Sequence, residues 1–241
     1  MLLSFISSFI RGTANVKLLL ANILLSIPVI LFALSAHEAA HGFVAYKCGD
    51  PTAKNLGRVS LNPLRHLDPL GTLCMLLVGY GWAKPVPIDP RHFKNPKRGM
   101  ALSAAAGPLM NLTLGIVNAL LTGLFNALLM LVGNHDAPMF VVYLFYLLLI
   151  LFRLGTIYNF VFAVFNLIPL PPFDGSRIVY AILPEKWYFS VMRYERTIMI
   201  VVLFVFLALS RFGWSPVSLL AEKLYDWTVY PFAKLFWNLF F

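Results

Sequence analysis

Leu31-Phe32-Ala33-Leu34-Ser35-Ala36-His37-Glu38-Ala39-Ala40-His41-Gly42-Phe43-Val44-Ala45 is an apolar stretch that carries three ionisable side chains, and its reading decides the fold. The surrounding run extends back to Leu18, with Pro28 as an interruption and kink point, and exceeds the about 20 residues that cross a bilayer. On a helix, residues i and i+4 share a face, so His37 and His41 point the same way and can grip one metal ion. Glu38 sits one residue round, placed to take a proton from a water at that metal, as in a zinc hydrolase. The alternative is two buried histidines and a glutamate satisfied by neighbours. Ionisable groups at membrane depth are costly and mark function, which weighs against that alternative.

Composition fixes the setting. Of 241 residues, 60% are hydrophobic and 12% charged, against about half and about a quarter in soluble domains. The chain reads as an all-α polytopic membrane protein. Its net charge of +9 speaks first to topology and anionic lipid. No stretch resembles a nucleic-acid module. Cys48 and Cys74 are too few for a disulfide framework or a thiolate zinc site. Residues 1–12 read as a short interfacial segment and not as a cleaved signal. No appended soluble domain is expected, so 1–241 reads as one integral membrane unit, with a three-helix catalytic core over about 18–183 and C-terminal helices over about 187–241.

The polar segment from Lys47 to Arg98 holds nine Lys/Arg. Within it, Gly71 to Ile88 is apolar but too short to span as a helix. Gly79-Tyr80-Gly81 supplies a turn, and Trp82 and the flanking prolines suit a small re-entrant, β-like hairpin; a plain interfacial loop is the other reading. An extended edge there can pair with an unwound peptide, which makes Gly79, Gly81 and Trp82 candidate substrate contacts. The second span covers about Gly99 to Val132 and contains Gly107-Pro108-Leu109-Met110-Asn111, preceded by small residues that allow close helix packing. The third covers about Met139 to Ile168, with Arg153 needing a partner at its middle. It ends in Asn166-Leu167-Ile168-Pro169-Leu170-Pro171-Pro172-Phe173-Asp174-Gly175, where the prolines break the helix and set Asp174 at a sharp corner. A short helix over Ser176–Leu183 and a further apolar run at Thr197–Leu209 follow. Ser215 to Phe241 reads as a fifth span or, given Glu222, Lys223 and Asp226, as an interfacial helix.

Loop charges orient the spans. The loop after the first span has nine Lys/Arg, the loop Gly133–Pro138 none, and the connection after the third has Arg177, Lys186, Arg193 and Arg196. The positive-inside rule puts the first and third of these in the cytoplasm. His37 lies ten residues before Lys47, about 15 Å of helix, so the motif falls in the cytoplasmic half of its span. Asp174 is delivered to the same half.

A hydrolytic zinc site takes three protein ligands and leaves one position open. His37 and His41 supply two. Asp174 is the carboxylate at matching depth, whereas His66 and His92 belong to the basic loop. Glu38 is the expected general base. Asn166 and Asn111 lie near the same layer and can bind a substrate backbone or steady an oxyanion; Asn111 reads equally well as an interhelical hydrogen-bonding residue.

His-Glu-Ala-Ala-His on the first span, Gly-Pro-Leu-Met-Asn on the second and Asn166 to Gly175 at the end of the third resemble, in order and spacing, the site-2 protease family of intramembrane zinc metallopeptidases over about residues 18–183. The resemblance implies one zinc ion per chain on His37, His41 and Asp174, Glu38 as catalytic residue, Asn166 as a substrate holder and Gly71–Ile88 as a re-entrant strand-like element. It implies substrates that are transmembrane proteins or peptides; composition and loop charges give the expected setting, a multi-pass protein in the lipid bilayer of a prokaryotic-type plasma membrane with the site in its cytoplasmic half. The chain resembles the compact form, without a PDZ or CBS domain. The rival from another class is a membrane metal-ion transporter using the same three ligands; a transporter has no need for a base at Glu38.

Overall fold

A computed structural model describes residues 16–71, 83–133, 137–184, 194–202, 204–205, 208–209 and 216–240. The long elements are α1 (Val16–Lys47), α3 (Pro96–Gly133), α4 (Met139–Asn166) and α6 (Pro216–Phe240), with two short helices, α2 (Thr52–Asn55) and α5 (Asp174–Ile182). Three of them, Ile23–Lys47 within α1, Pro96–Gly133 and Met139–Asn166, are long and apolar enough to cross a membrane. Residues 194–202 are also helical. The architecture is that of an all-α polytopic membrane protein. Among the described residues there is no strand; one isolated antiparallel bridge joins Leu67 to Ala83. Most of the expected re-entrant element, including Gly79, Gly81 and Trp82, lies outside the described residues, as do residues 1–15.

Local sequence sets the helix ends. α1 runs two residues beyond the expected Ala45 and stops where Gly49 adopts φ +115° and the Asp50 amide bonds back to the Ala45 carbonyl at 2.9 Å. α3 begins earlier than Gly99. Pro96 has no amide to satisfy, and the Asn95 side chain accepts from the Arg98 amide at 3.1 Å.

The bundle is polar inside and apolar outside. Ser26, Ser35, His37, His41, Ser103, Asn111, Thr122, Thr156 and Asn159 are buried, while Leu24, Phe32, Leu109, Ile116, Phe140 and Leu147 are exposed. That inversion suits a hydrocarbon solvent, where apolar side chains gain nothing by burial and polar ones need partners. α3 is central and touches α1, α4, α5 and α6. Small residues permit these approaches: a Cβ on Gly115 would strike the Phe160 ring, and one on Gly155 would strike the Asn118 amide. α6 is seated against α3 and α4, not held away from them. At Gly123 an added Cβ would come within 2.9 Å of the Phe232–Ala233 backbone. Arg153 on α4 meets α6 as well, its guanidinium 5.9 Å from the centre of the Tyr225 ring.

Candidate metal centre

The site forms where α1, α3 and the start of α5 meet. His37 and His41 are one turn apart on α1, with Nε2 atoms 2.9 Å from each other. Asp174 Oδ2 lies 3.1 Å from His37 Nε2 and 3.3 Å from His41 Nε2. Among the described residues these three form a cluster able to hold a metal ion. His66 and His92 lie elsewhere: His66 Nε2 meets the Ser60 carbonyl at 2.7 Å, and His92 Nδ1 meets Asp50 Oδ1 at 2.9 Å.

The far side of each imidazole fixes its tautomer. His37 Nδ1 is 2.6 Å from Asn111 Oδ1, and His41 Nδ1 is 2.7 Å from the Ser103 carbonyl. A backbone carbonyl only accepts, so His41 Nδ1 carries the proton. The Asn111 amide is oriented by its nitrogen, which donates to Asn159 Oδ1 at 2.8 Å and to the Ala33 carbonyl at 3.3 Å. Its oxygen therefore faces His37, and His37 Nδ1 also donates. Nε2 is therefore the atom each ring can offer to a metal, and both Nε2 atoms lie beside the Asp174 carboxylate, whose buried Oδ2 receives no hydrogen bond.

Three such groups converging on one point need positive charge among them, supplied by protons on the rings or by a metal ion. Tetrahedral ligands at the usual zinc distances stand about 3.3 Å apart, which the donor triangle approaches on all sides. Two neutral imidazoles and a carboxylate are also a zinc donor set. The residues fit the ion.

Backbone space is arranged for the same end. Ser103, Gly107 and Asn111 lie four residues apart along one face of α3. A Cβ at Gly107 would sit 2.5 Å from His41 Cε1 and 2.6 Å from His37 Cε1, so only glycine lets the two rings lie against this helix. At the Asp174 corner, a Cβ on Gly175 would run into the Leu167 and Ile168 carbonyls. The chain can therefore fold back onto the end of α4 and present Asp174 to α1. Packing of Phe165 on Phe173, ring centres 4.3 Å apart, braces the corner.

Glu38 is partly buried beside the cluster, and its Oε2 accepts from the Val86 amide at 2.9 Å. Val86 stands between Pro85 and Pro87, so its amide is the single backbone donor of that tripeptide. Asn166 sits at the end of α4 and donates to the Phe162 carbonyl at 3.0 Å. Sequence reasoning did not single out Ser103, Asn159 or Val86 for the site. Asn159 had a signal, an amide in an apolar span; a backbone carbonyl and a backbone amide leave none.

Residues 140–210 match Peptidase family M50. The chain is also similar to YwhC of Bacillus subtilis, named as a zinc metalloprotease, with 41% identity over 155 residues that cover 64% of this chain and 67% of that protein. The chain belongs to peptidase family M50. This M50 peptidase is further similar to Rip2 of Mycolicibacterium smegmatis, also named as a zinc metalloprotease (32% over 102 residues, 40% of this chain and 38% of that protein). Its likeness to zinc metalloprotease MJ0392 of Methanocaldococcus jannaschii is 29% over 165 residues, covering 68% of this chain but 34% of that protein. No solved structure matches the M50 peptidase described here. Family membership makes it a zinc metalloprotease with spans of the site-2 type, and the metal-transporter alternative is not favoured.

Proposed function

We propose that this M50 peptidase hydrolyses peptide bonds within or near transmembrane segments of other membrane proteins, from the cytoplasmic half of the plasma membrane. One zinc ion per chain would be held by His37, His41 and Asp174, with Glu38 as general base. The observation that carries the reading is the convergence of His37 Nε2, His41 Nε2 and Asp174 Oδ2 within 3.3 Å of one another, beside Glu38. When bound, zinc supplies Lewis acidity, polarising a peptide carbonyl and making water a stronger acid.

The chain's own residues do the rest. Glu38 Oε2 is held by the Val86 amide, which leaves Oε1 to take the proton of the attacking water. The same carboxyl then passes that proton to the leaving amine nitrogen as the C–N bond breaks. Burial of His37 and His41 keeps bulk water from the two rings, while Asp174, with 23% of its side chain exposed, marks the open side. Asn166, beside the broken corner, is the candidate to hold an unwound substrate backbone, with Gly79, Gly81 and Trp82 as further contacts. Asn111 acts in this reading through His37, since its oxygen and nitrogen are both engaged inside the bundle.

The test is a pair of variants in cells that co-express a single-span substrate. Glu38→Gln is expected to keep zinc and lose cleavage; His37→Ala is expected to lose both. Normal cleavage by Glu38→Gln would refute the base assignment, and equal zinc in His37→Ala and the unaltered protein would refute the ligand assignment. The Glu38→Gln protein also traps substrates for identification by mass spectrometry.

A further inference from the structure

We propose that Asn159, in the third span and outside the ligand set, is a positioning residue for the metal centre. It would select the one orientation of the Asn111 amide that holds His37 as a zinc ligand. The inference rests on the proposed zinc site and adds to it a control point on a different helix.

A chain of hydrogen bonds with a single direction runs across three helices. On α4, the Asn159 nitrogen donates to the Gly155 carbonyl at 2.8 Å, a group that can only accept. That leaves Asn159 Oδ1 facing α3, where it accepts from Asn111 Nδ2 at 2.8 Å. Asn111 Oδ1 is thereby turned to α1 and lies 2.6 Å from His37 Nδ1. Both amides are buried, at 0% and 2% exposure, so no water substitutes for a missing partner.

An amide is useful to His37 in one orientation only. Flipped, it would present an NH2 to Nδ1, drive the ring proton to Nε2 and block the lone pair that a metal needs. The Ala33 carbonyl also favours the observed orientation, but at 3.3 Å it is the weaker anchor. Asn159 is therefore the main orienting group. Asp174 opens α5, which follows α4 after the corner at residues 167–173, so Asn159 lies on the span that leads into one proposed ligand and steers another.

The experiment is a double-mutant cycle read as zinc affinity, by chelator competition on the full-length protein in detergent, with Glu38→Gln present throughout to prevent self-cleavage. Substituting the direct hydrogen-bond partner of a metal-ligating histidine typically costs 10–100-fold in affinity; Asn159 acts one bond further out, so Asn159→Leu is expected to weaken zinc binding about tenfold, the low end of that range. The second background is Asn111→Asp. A carboxylate has two equivalent oxygens and accepts from His37 Nδ1 whichever way it turns. There, the same Asn159→Leu change is expected to cost less than about threefold, since the oriented amide it served is gone.

A purely packing role for Asn159 predicts equal losses in both backgrounds, and that result would overturn the inference. So would unchanged zinc affinity in the single variant. If Asn159→Leu does not fold, Asn159→Ala, which opens space instead of filling it, carries the same comparison. Failure of the underlying site is separately visible, because His37→Ala would then bind zinc as tightly as the unaltered protein.

Discussion

The Val86 amide donates to Glu38 Oε2 at 2.9 Å, across 48 residues of sequence and between a loop and a span. The loop is itself anchored. Arg58, which is buried, donates through Nη2 to the Lys84 carbonyl at 2.6 Å, and the Lys84 amide donates to the His66 carbonyl at 2.8 Å. The Val86 side chain in turn lies against α1 at Gly42, where an added Cβ would come within 3.2 Å of it. A flexible glutamate is thus fixed at one oxygen by a rigid backbone donor. Val86→Pro removes the donor and leaves an apolar side chain in place. A hydrogen bond to a charged group is worth about 1.5–3 kcal/mol, so kcat is expected to fall roughly ten- to hundredfold if the bond is needed in the transition state. Zinc content should not change, and Val86→Ala, which keeps the amide, should stay within about threefold of the unaltered enzyme. Equal rates for the proline and alanine variants would sink the idea that this amide orients the base.

Asp50 gives the loops that follow the first span an acid-sensitive clasp. It is fully buried and accepts from the Thr52 amide at 3.0 Å, the Thr52 hydroxyl at 2.5 Å, the Asp89 amide at 2.8 Å and His92 Nδ1 at 2.9 Å. Burial pushes its carboxyl up, but the hydrogen bonds from Thr52, Asp89 and His92 outweigh it, and the net shift is below the usual carboxylate range. A depressed folded-state value means that the stabilisation is present above the unfolded value of about 4 and is lost as pH falls through the folded one. Thermal unfolding followed from pH 7 to pH 3 should therefore show a falling Tm at the acid end. Asp50→Asn should lower Tm at pH 7 and flatten that acid slope. A slope as steep in the variant as in the unaltered protein would assign the acid sensitivity to other groups.

Much of this architecture is legible in the residues themselves. Three apolar runs locate three spans, and four-residue spacing puts two imidazoles on one face. Loop charges bring Asp174 to the depth of His37 before any contact is known. What stays hidden depends on docking. Asn111 can serve a substrate or a neighbouring helix equally well until α1 and α4 are in place around it. The residues of 215–241 suit a fifth span or an interfacial helix, and nothing in them announces the close approach of the α6 backbone to α3 at Gly123. The Ser103 carbonyl and the Val86 amide belong to the main chain, so no residue type announces them.

Two glycines make the sharpest prediction, because neither belongs to the proposed ligand set and each controls where a member of that set can lie. At Gly107 an added methyl would press on both ligand imidazoles at 2.5–2.6 Å. At Gly175 it would meet the Leu167 and Ile168 carbonyls, which are backbone and cannot swing aside. Relief at Gly107 requires the two rings to swing aside or α1 to move off α3, and either displaces the bonds from His37 to Asn111 and from His41 to Ser103. Relief at Gly175 lifts Asp174 out of the triangle. Overpacking a tight site costs about 1–3 kcal/mol, and here it is taken from the ligand geometry, so each alanine variant should weaken zinc binding about five- to 150-fold. Gly133→Ala is the control, since nothing lies within 4 Å of a Cβ there. Zinc affinities measured on the three purified variants decide the matter. Unaltered affinity in Gly107→Ala would mean that the histidines do not need this close contact with α3 in order to bind metal.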